Sequence, residues 1–245
     1  MTEKEIINLQ TKHLPIKPLT RQELHDSTND RLALITEEFK NGFDFLKKYP
    51  KSVTIFGGGH FKESDSYYAS ARSLGSKIVT ELRYSIFTGG GPGIMEAANR
   101  GAFEVGGESL GLTIELAHHQ VRNQYLTKCI GFHYFFSRKV CLSFSAEAYV
   151  FFPGGFGTLD EFFEIITLVQ TKKIERAPVV LFGSDFWKPL ESLFKDKMLD
   201  SGAIDENDLL LYKITDSESE VIKIIQNSPI RNGLKFSHPE SHLSV

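Results

Sequence analysis

A glycine-rich loop beside two carboxylates is the segment of this sequence best suited to chemistry. The loop, Pro153-Gly-Gly-Phe-Gly-Thr158, follows an apolar run at 148–152 and is followed by Asp160 and Glu161. Glycine lets the backbone turn sharply and approach an anion, and the start of a helix offers unpaired N–H groups and a positive dipole. The segment therefore predicts a phosphate-binding loop, although a lone glycine turn often only connects a strand to a helix.

A second candidate phosphate-binding loop follows another strand-like run. Its sequence is Thr88-Gly-Gly-Gly-Pro-Gly-Ile-Met-Glu-Ala-Ala-Asn99. Two such loops converging on one crevice are harder to explain as mere turns. The loop lacks the Gly-Lys-Ser/Thr of an ATP-binding loop, and its triple glycine does not fit GxGxxG, so neither ATP hydrolysis nor hydride transfer is favoured. We place further substrate contacts in this loop at Gly90, Gly91 and Met95.

The adjacent cations Arg138 and Lys139 lie in the otherwise apolar segment 135–142. Buried charge is costly, so these side chains must reach a cleft, a partner subunit or solvent. A solvated pair on an amphipathic helix is an equally open interpretation.

The elements that would position these residues alternate between strand and helix along the chain. Strands are predicted at 52–56, 84–88, 109–114, 148–152, 178–182 and near 214, and helices at 67–82, 94–105, 135–144, 157–171 and 221–225. Such alternation implies parallel pairing, because each crossover must cover a face of the sheet. We expect an α/β fold, a single-domain, Rossmann-like, doubly wound and mainly parallel sheet flanked by helices, with ligands at the carboxyl ends of its strands.

The predicted nucleotide-binding domain covers residues 51–227, since 245 residues with 41% hydrophobic content suffice for one buried core. Residues 1–50 form an N-terminal extension with an amphipathic helix at 31–48, and 228–245 form a polar tail. A net charge of −3 offers no global attraction for nucleic acid or an anionic membrane. The polar N-terminus and the absence of a membrane-length apolar run predict a cytoplasmic protein. Cys129 and Cys141 fit neither a redox pair nor a zinc site and are predicted to be core thiols.

Three motifs, in this order and spacing, resemble the "Lonely guy" type phosphoribohydrolases, many of whose bacterial members were labelled possible lysine decarboxylases. They are Gly89-Gly-Gly-Pro-Gly-Ile-Met-Glu96, Arg138-Lys139 and Pro153-Gly-Gly-Phe-Gly-Thr-Leu-Asp-Glu161, and the last matches PGGxGTxxE at every defined position. The resemblance covers roughly residues 53–182. It implies hydrolysis of a purine nucleoside 5′-monophosphate, or its N6-modified cytokinin form, to free base and ribose 5-phosphate, with neither cofactor nor metal.

By match of motif, the resemblance places Arg138 and Glu161 at catalytic positions. It places substrate contacts at Lys139, Gly154, Gly155, Gly157, Thr158 and Thr167. Two departures bear on base specificity: Phe136-Ser137 replaces the His-x of plant members, and the first loop is Gly57-Gly-Gly-His60 instead of Gly-Ser-rich. The extension before Lys51 goes beyond the family core and receives no role from the sequence.

Two other functions compete with this one. A non-catalytic carrier of the molybdenum cofactor or a nucleotide sensor would use the same loops, but a carrier has no evident need for a carboxylate beside a sugar carbon. A pyridoxal phosphate decarboxylase needs a Schiff-base lysine with an acidic partner for the ring nitrogen, and we see no lysine in such a setting. The 20 phenylalanines favour a homodimer or larger homo-oligomer, although aromatic enrichment more often marks a core than an interface.

Overall fold

The computed structural model describes residues 5–7, 20–114 and 122–228 of the chain. Within these ranges one eight-stranded sheet, parallel at every pairing, runs in the order β1-β5-β4-β3-β2-β6-β7-β8. The strands are β1 Glu5–Ile7, β2 Ser52–Phe56, β3 Ser85–Thr88, β4 Ser109–Ile114, β5 Lys128–Phe132, β6 Ala148–Phe151, β7 Val179–Phe182 and β8 Lys213–Thr215. The predicted α/β fold class is confirmed.

Helices connect the strands in nearly every crossover. They are α1 Arg21–Asp26, α2 Thr28–Leu46, α3 Ser66–Lys77, α4 Ile94–Glu104, α5 Phe135–Ser143, α6 Phe156–Gln170, α7 Ser184–Leu193 and α8 Glu218–Gln226. Short π-helical turns, Ile78–Leu82 and Phe194–Leu199, continue α3 and α7, and a 3₁₀ turn occupies Asp208–Leu210. No helix in the described ranges is both long and apolar enough to cross a membrane.

Two hydrophobic clusters, one on each face of the sheet, form the core. Helices α3, α4 and α8 contribute to one cluster, and α2, α5, α6 and α7 contribute to the other. Strand β2 feeds both, because its Val53 and Ile55 side chains join the first cluster and Phe56 joins the second. Burial on both faces explains why the strands read as continuous apolar runs.

Several elements differ from the sequence prediction. Strands β1 and β5 and helices α1 and α7 were not predicted, whereas α2 was predicted within three residues of its ends. Strand β5, Lys-Cys-Ile-Gly-Phe, is short and contains a glycine, which weakens the strand signal. The predicted polar tail, apart from Ser228, lies outside the described residues, as does most of the irregular stretch predicted at 117–125. Cys129 and Cys141 are free and buried, as expected.

Candidate active site

A cleft of about 320 Å³ opens beyond the carboxyl ends of β2, β3, β4 and β6. Strand β2 has β3 on one side and β6 on the other, so the strand order reverses beside it, which is where open parallel sheets bind ligands. The cleft is lined by Phe56, Gly57, Gly58, Gly59, Gly89, Met95, Ile114, Phe135, Arg138, Gly155, Gly157, Thr158, Asp160 and Glu161.

Six of the residues predicted to form the site line this cleft. They are Met95, Arg138, Gly155, Gly157, Thr158 and Glu161. The other predicted residues, Gly90, Gly91, Lys139, Gly154 and Thr167, lie outside its lining. Phe135 and Ile114 also contribute to the wall and were not predicted, because a hydrophobic residue at a strand end or helix start carries no distinct signal.

Glu161 is a buried carboxylate in the second turn of α6. Its side chain is 9% exposed, and Oε1 lies 4.0 Å from Nη1 of Arg138. Among the described residues, Oε2 is buried without a hydrogen-bond partner. Burial raises the pKa of Glu161 from an ordinary 4.5 to about 7, although the nearby Arg138 charge lowers it. This carboxyl group can therefore exchange a proton near neutral pH.

Arg138 extends from the first turns of α5 across the end of β4. Its Nε–H donates to the Leu112 carbonyl at 2.7 Å, which fixes the plane of the guanidinium. The guanidinium lies so close to Gly89 that a Cβ there would come within 2.4 Å of Nη2. Burial lowers the pKa of Arg138 and the Glu161 charge raises it, but a guanidinium remains protonated in proteins. Glycine at position 89 thus makes room for a permanent, part-buried cation.

The glycines that open α6 fall into two kinds. A Cβ on Gly154 would lie 2.1 Å from Thr158 Oγ1, so the fold itself requires glycine there. A Cβ on Gly155 or Gly157 would meet no described atom within 4 Å, and neither residue has a positive φ. Nothing in the described chain demands glycine at these two positions. Both face the cleft at the start of a helix, where an anion is favoured.

Gly90 and Gly91 belong to the second glycine loop, and buried hydrogen bonds hold their backbone in place. Gly90 has a φ of +72°, which favours glycine, and its N–H donates to Thr88 Oγ1 at 2.9 Å. The backbone N–H and the side-chain amide of Asn123 donate to the carbonyls of Gly90 and Gly91, each at 3.0 Å. Asn99, fully buried in α4, accepts from Thr88 Oγ1 and from Asn123 Nδ2. These asparagines were not predicted, although a polar residue within the apolar pattern of α4 was a usable signal.

Lys139 and Thr167 lie beside the cleft. Nζ of Lys139 is 2.8 Å from Asp160 and 3.0 Å from Glu164, so it joins α5 to α6. Thr167 is exposed, six residues after Glu161 on the same helix. No group of three or more His, Cys, Asp or Glu side chains that could hold a metal ion occurs among the described residues.

Comparison with known proteins gives consistent matches. A family model described as "Possible lysine decarboxylase" matches residues 95–225. A cytokinin riboside 5′-monophosphate phosphoribohydrolase of Arabidopsis thaliana is 25% identical over 193 residues, which cover 78% of this chain and 84% of that protein. An enzyme of the same name from Rhodococcoides fascians is 29% identical over 150 residues, which cover 58% of this chain and 73% of the other.

Solved structures share the fold. The molybdenum cofactor carrier protein of Chlamydomonas reinhardtii superposes with a TM-score of 0.53 at 23% identity, covering 72% of this chain and 96% of that one. At this identity the likeness concerns the fold alone. The family match, in contrast, spans more than half of the chain and includes both Arg138 and Glu161. This chain belongs to the "Lonely guy" family, whose model bears the description "Possible lysine decarboxylase".

Proposed function

We propose that this protein hydrolyses the N-glycosidic bond of purine or N6-modified purine nucleoside 5′-monophosphates, releasing free base and ribose 5-phosphate. The observation that carries this proposal is the buried pair of Glu161 and Arg138, 4.0 Å apart in the cleft. The names of the related phosphoribohydrolases support the same reaction. A protein that only held a nucleotide would gain nothing from burying an unsatisfied carboxylate.

In this proposal the 5′-phosphate binds at the start of α6. The N–H groups at the first turn of a helix have no partner within the helix, and the helix dipole favours negative charge. Gly155 and Gly157 leave space for the phosphate to approach these groups. The ribose then extends towards Glu161, one turn further along α6.

The reaction breaks the bond between C1′ and the base nitrogen, and the ribose develops oxocarbenium character. The ionised Glu161 carboxylate stabilises that charge and orients or deprotonates the attacking water. Water supplies a hydroxyl group to C1′ and a proton to the departing base. Arg138, held by Leu112, binds substrate oxygens or complements the charge that develops on the base.

The test is incubation of purified protein with a panel of nucleoside monophosphates, nucleosides and N6-modified AMP, followed by chromatography of free base and ribose 5-phosphate. We expect base from monophosphates only, and a loss of turnover on the order of a hundredfold or more in Glu161→Gln. The matched control is Glu37→Gln, because Glu37 is exposed and lies outside the cleft lining. Near-normal turnover in Glu161→Gln would refute the role given to this carboxylate.

A carrier function is the second candidate, because a molybdenum cofactor carrier shares the fold. It would use the same phosphate loops without turnover. Measurable nucleotide binding with no base released from any member of the panel would favour this candidate.

Self-association of the chain is also part of the proposal. Four phenylalanines, two in α2, one in α5 and one directly after α5, are here called the aromatic strip and form a continuous row of ring contacts with centroids 6.0–6.5 Å apart. They are Phe39, Phe43, Phe136 and Phe144. Two of them, Phe136 and Phe144, remain 46% and 45% exposed, as expected for a surface that a second copy would cover.

A further inference from the structure

Helix α2, in the N-terminal segment to which the sequence gives no role, packs directly on α5. A Cβ on Gly42 would lie only 2.5 Å from Sγ of Cys141, so the two helices approach closely at this point. Ring contacts between Phe39 and Phe136 and between Phe43 and Phe144 flank the close approach. The helix that carries Arg138 is therefore held from outside by the N-terminal segment.

Glu38 of α2 is 2% exposed, and its carboxylate lies at the start of α5. Oε1 accepts a hydrogen bond from the backbone N–H of His133. Oε2 accepts from the N–H of Tyr134, at 3.3 Å, and from the hydroxyl of Ser137. The side chain of Tyr134, the N-cap residue of α5, makes no capping hydrogen bond of its own. A distant carboxylate thus supplies the cap, where it also complements the helix dipole.

We propose that Glu38 is a positioning residue for the reaction, which fixes the first turn of α5 and thereby holds Arg138 against Leu112 and Glu161. The inference rests on the proposed function of the cleft. Ser137, which donates to Glu38, immediately precedes Arg138 in the chain. Arg138 lies within the first turns of α5, so a shift of this helix start moves the guanidinium directly. A displacement of about 1 Å at a reacting group can lower turnover a hundredfold.

Glu38→Gln tests the proposal, and Glu37→Gln is the matched control on the same helix, since Glu37 is exposed. The Gln side chain keeps one acceptor oxygen but turns an N–H₂ group towards donors that carboxylate oxygens now accept from. For the folded Glu38→Gln variant we expect kcat/KM with AMP to fall about tenfold or more, while Glu37→Gln remains like the wild type.

The pH profile separates positioning from a merely structural role. The charged groups that face Glu161 are Arg138 and Lys139 of α5 and Asp160 and Glu164 of α6. The charge of Arg138 lowers the pKa of Glu161, so withdrawal of Arg138 raises it. The acid limb of kcat/KM should therefore move to higher pH in Glu38→Gln. A variant with a lower Tm but an unchanged kcat/KM and pH profile would overturn the proposal.

A second readout does not depend on activity. The Arg138 Nε–H, bonded to the Leu112 carbonyl, should give a ¹⁵N NMR signal protected from exchange, identified by its loss in Arg138→Lys. We expect that protection to be lost in Glu38→Gln and retained in Glu37→Gln. If the wild type releases no base while the signal still responds to Glu38, the proposed function fails and the positioning contact stands. Retained protection in Glu38→Gln refutes the positioning role whatever the activity.

Ser137→Ala keeps the test decisive if Glu38→Gln does not fold. It removes one donor to Glu38 and leaves both backbone N–H groups in place. We expect the same changes in kcat/KM and exchange protection, smaller in size. If Glu38→Gln does fold, the effects of the two substitutions should be less than additive in the double variant, since both break the same contact between Ser137 and Glu38. Wild-type kinetics and protection in Ser137→Ala, in the absence of a folded Glu38→Gln, would contradict the proposal.

Discussion

At residue scale, the proton on Glu161 decides the pH range in which the cleft can react. Burial favours the neutral acid and Arg138 favours the carboxylate, with the balance at a pKa of about 7. The proposed mechanism needs the carboxylate, so kcat/KM should rise with pH through about 7 and then level. Steady-state kinetics of AMP hydrolysis from pH 5.5 to 9 measure this. In Arg138→Gln the pKa of Glu161 should be higher, so the acid limb of the residual activity should move to higher pH. A wild-type kcat/KM that falls with rising pH through neutrality would instead make Glu161 a general acid.

The same burial predicts that Glu161 destabilises the fold when it is ionised. Its folded pKa lies above the ordinary 4.5, so ionisation opposes folding. The penalty is absent below about pH 4.5, grows as pH rises, and is complete above about 7. Glutamine does not titrate, so Glu161→Gln escapes this penalty. Its advantage over the wild type in free energy of unfolding should increase by about 2 kcal/mol from pH 5 to pH 8. Urea unfolding at both pH values measures this advantage. If the stability difference between variant and wild type is the same at both pH values, the pKa of Glu161 is not raised in the folded protein.

The two kinds of glycine at the start of α6 predict opposite effects of one substitution. Gly157→Ala should keep or raise stability, by up to about 1 kcal/mol, because helical Ala is favoured over Gly and its Cβ meets no described atom. It should nevertheless weaken binding of AMP, because the methyl group enters the space given to the phosphate. Gly154→Ala should lower stability, since its Cβ would overlap Thr158. Thermal unfolding and calorimetry with AMP check both, and equal affinity in Gly157→Ala and the wild type would contradict the phosphate site.

At element scale, the strand and helix pairs that carry the glycine loops could be predicted because local signals agree there. Strands β2, β3 and β6 each combine an apolar run with a glycine turn and a following helical pattern. The signals disagree elsewhere. Strand β1 has only three residues and forms by pairing with β5, more than 120 positions away in the chain. The strand is stabilised by this long-range pairing, which the local sequence preferences of its residues do not predict.

Helices α3 and α4 show how closely two elements can pack when glycine permits it. A Cβ on Gly101 would lie 1.9 Å from the carbonyl oxygen of Arg72, a backbone atom that cannot swing aside. Gly101→Ala should therefore lower the free energy of unfolding by about 1–3 kcal/mol. Gly157→Ala is the control, as another helical glycine with open space around it. Urea unfolding compares them, and equal stability of the two variants would mean that α3 and α4 can separate at no cost.

At the scale of the whole molecule, the position of the cleft followed from the sequence, but part of its wall did not. Parallel strands bring their carboxyl ends to one edge, so glycine loops after β2, β3 and β6 had to meet. The placement of Arg138 over Leu112 depends instead on how α5 packs, and α5 is held by Glu38 nearly 100 residues earlier. Nothing in the local sequence of either helix encodes that contact.

The aromatic strip predicts the behaviour of the protein in solution. If a second copy covers it, the wild type should elute with at least twice the mass of one chain, because solvent-exposed phenylalanines on adjacent helices gain from burial. Phe144→Asp places a charge in the strip and should shift the equilibrium to monomer.

Phe103→Asp is the control, because Phe103 is 40% exposed but lies on α4, against Tyr125 and away from the strip. Size-exclusion chromatography with light scattering distinguishes them. A monomeric wild type, or a Phe144→Asp variant that stays associated, would exclude the strip as the interface. Activity retained by monomeric Phe144→Asp would show that one chain forms the complete site.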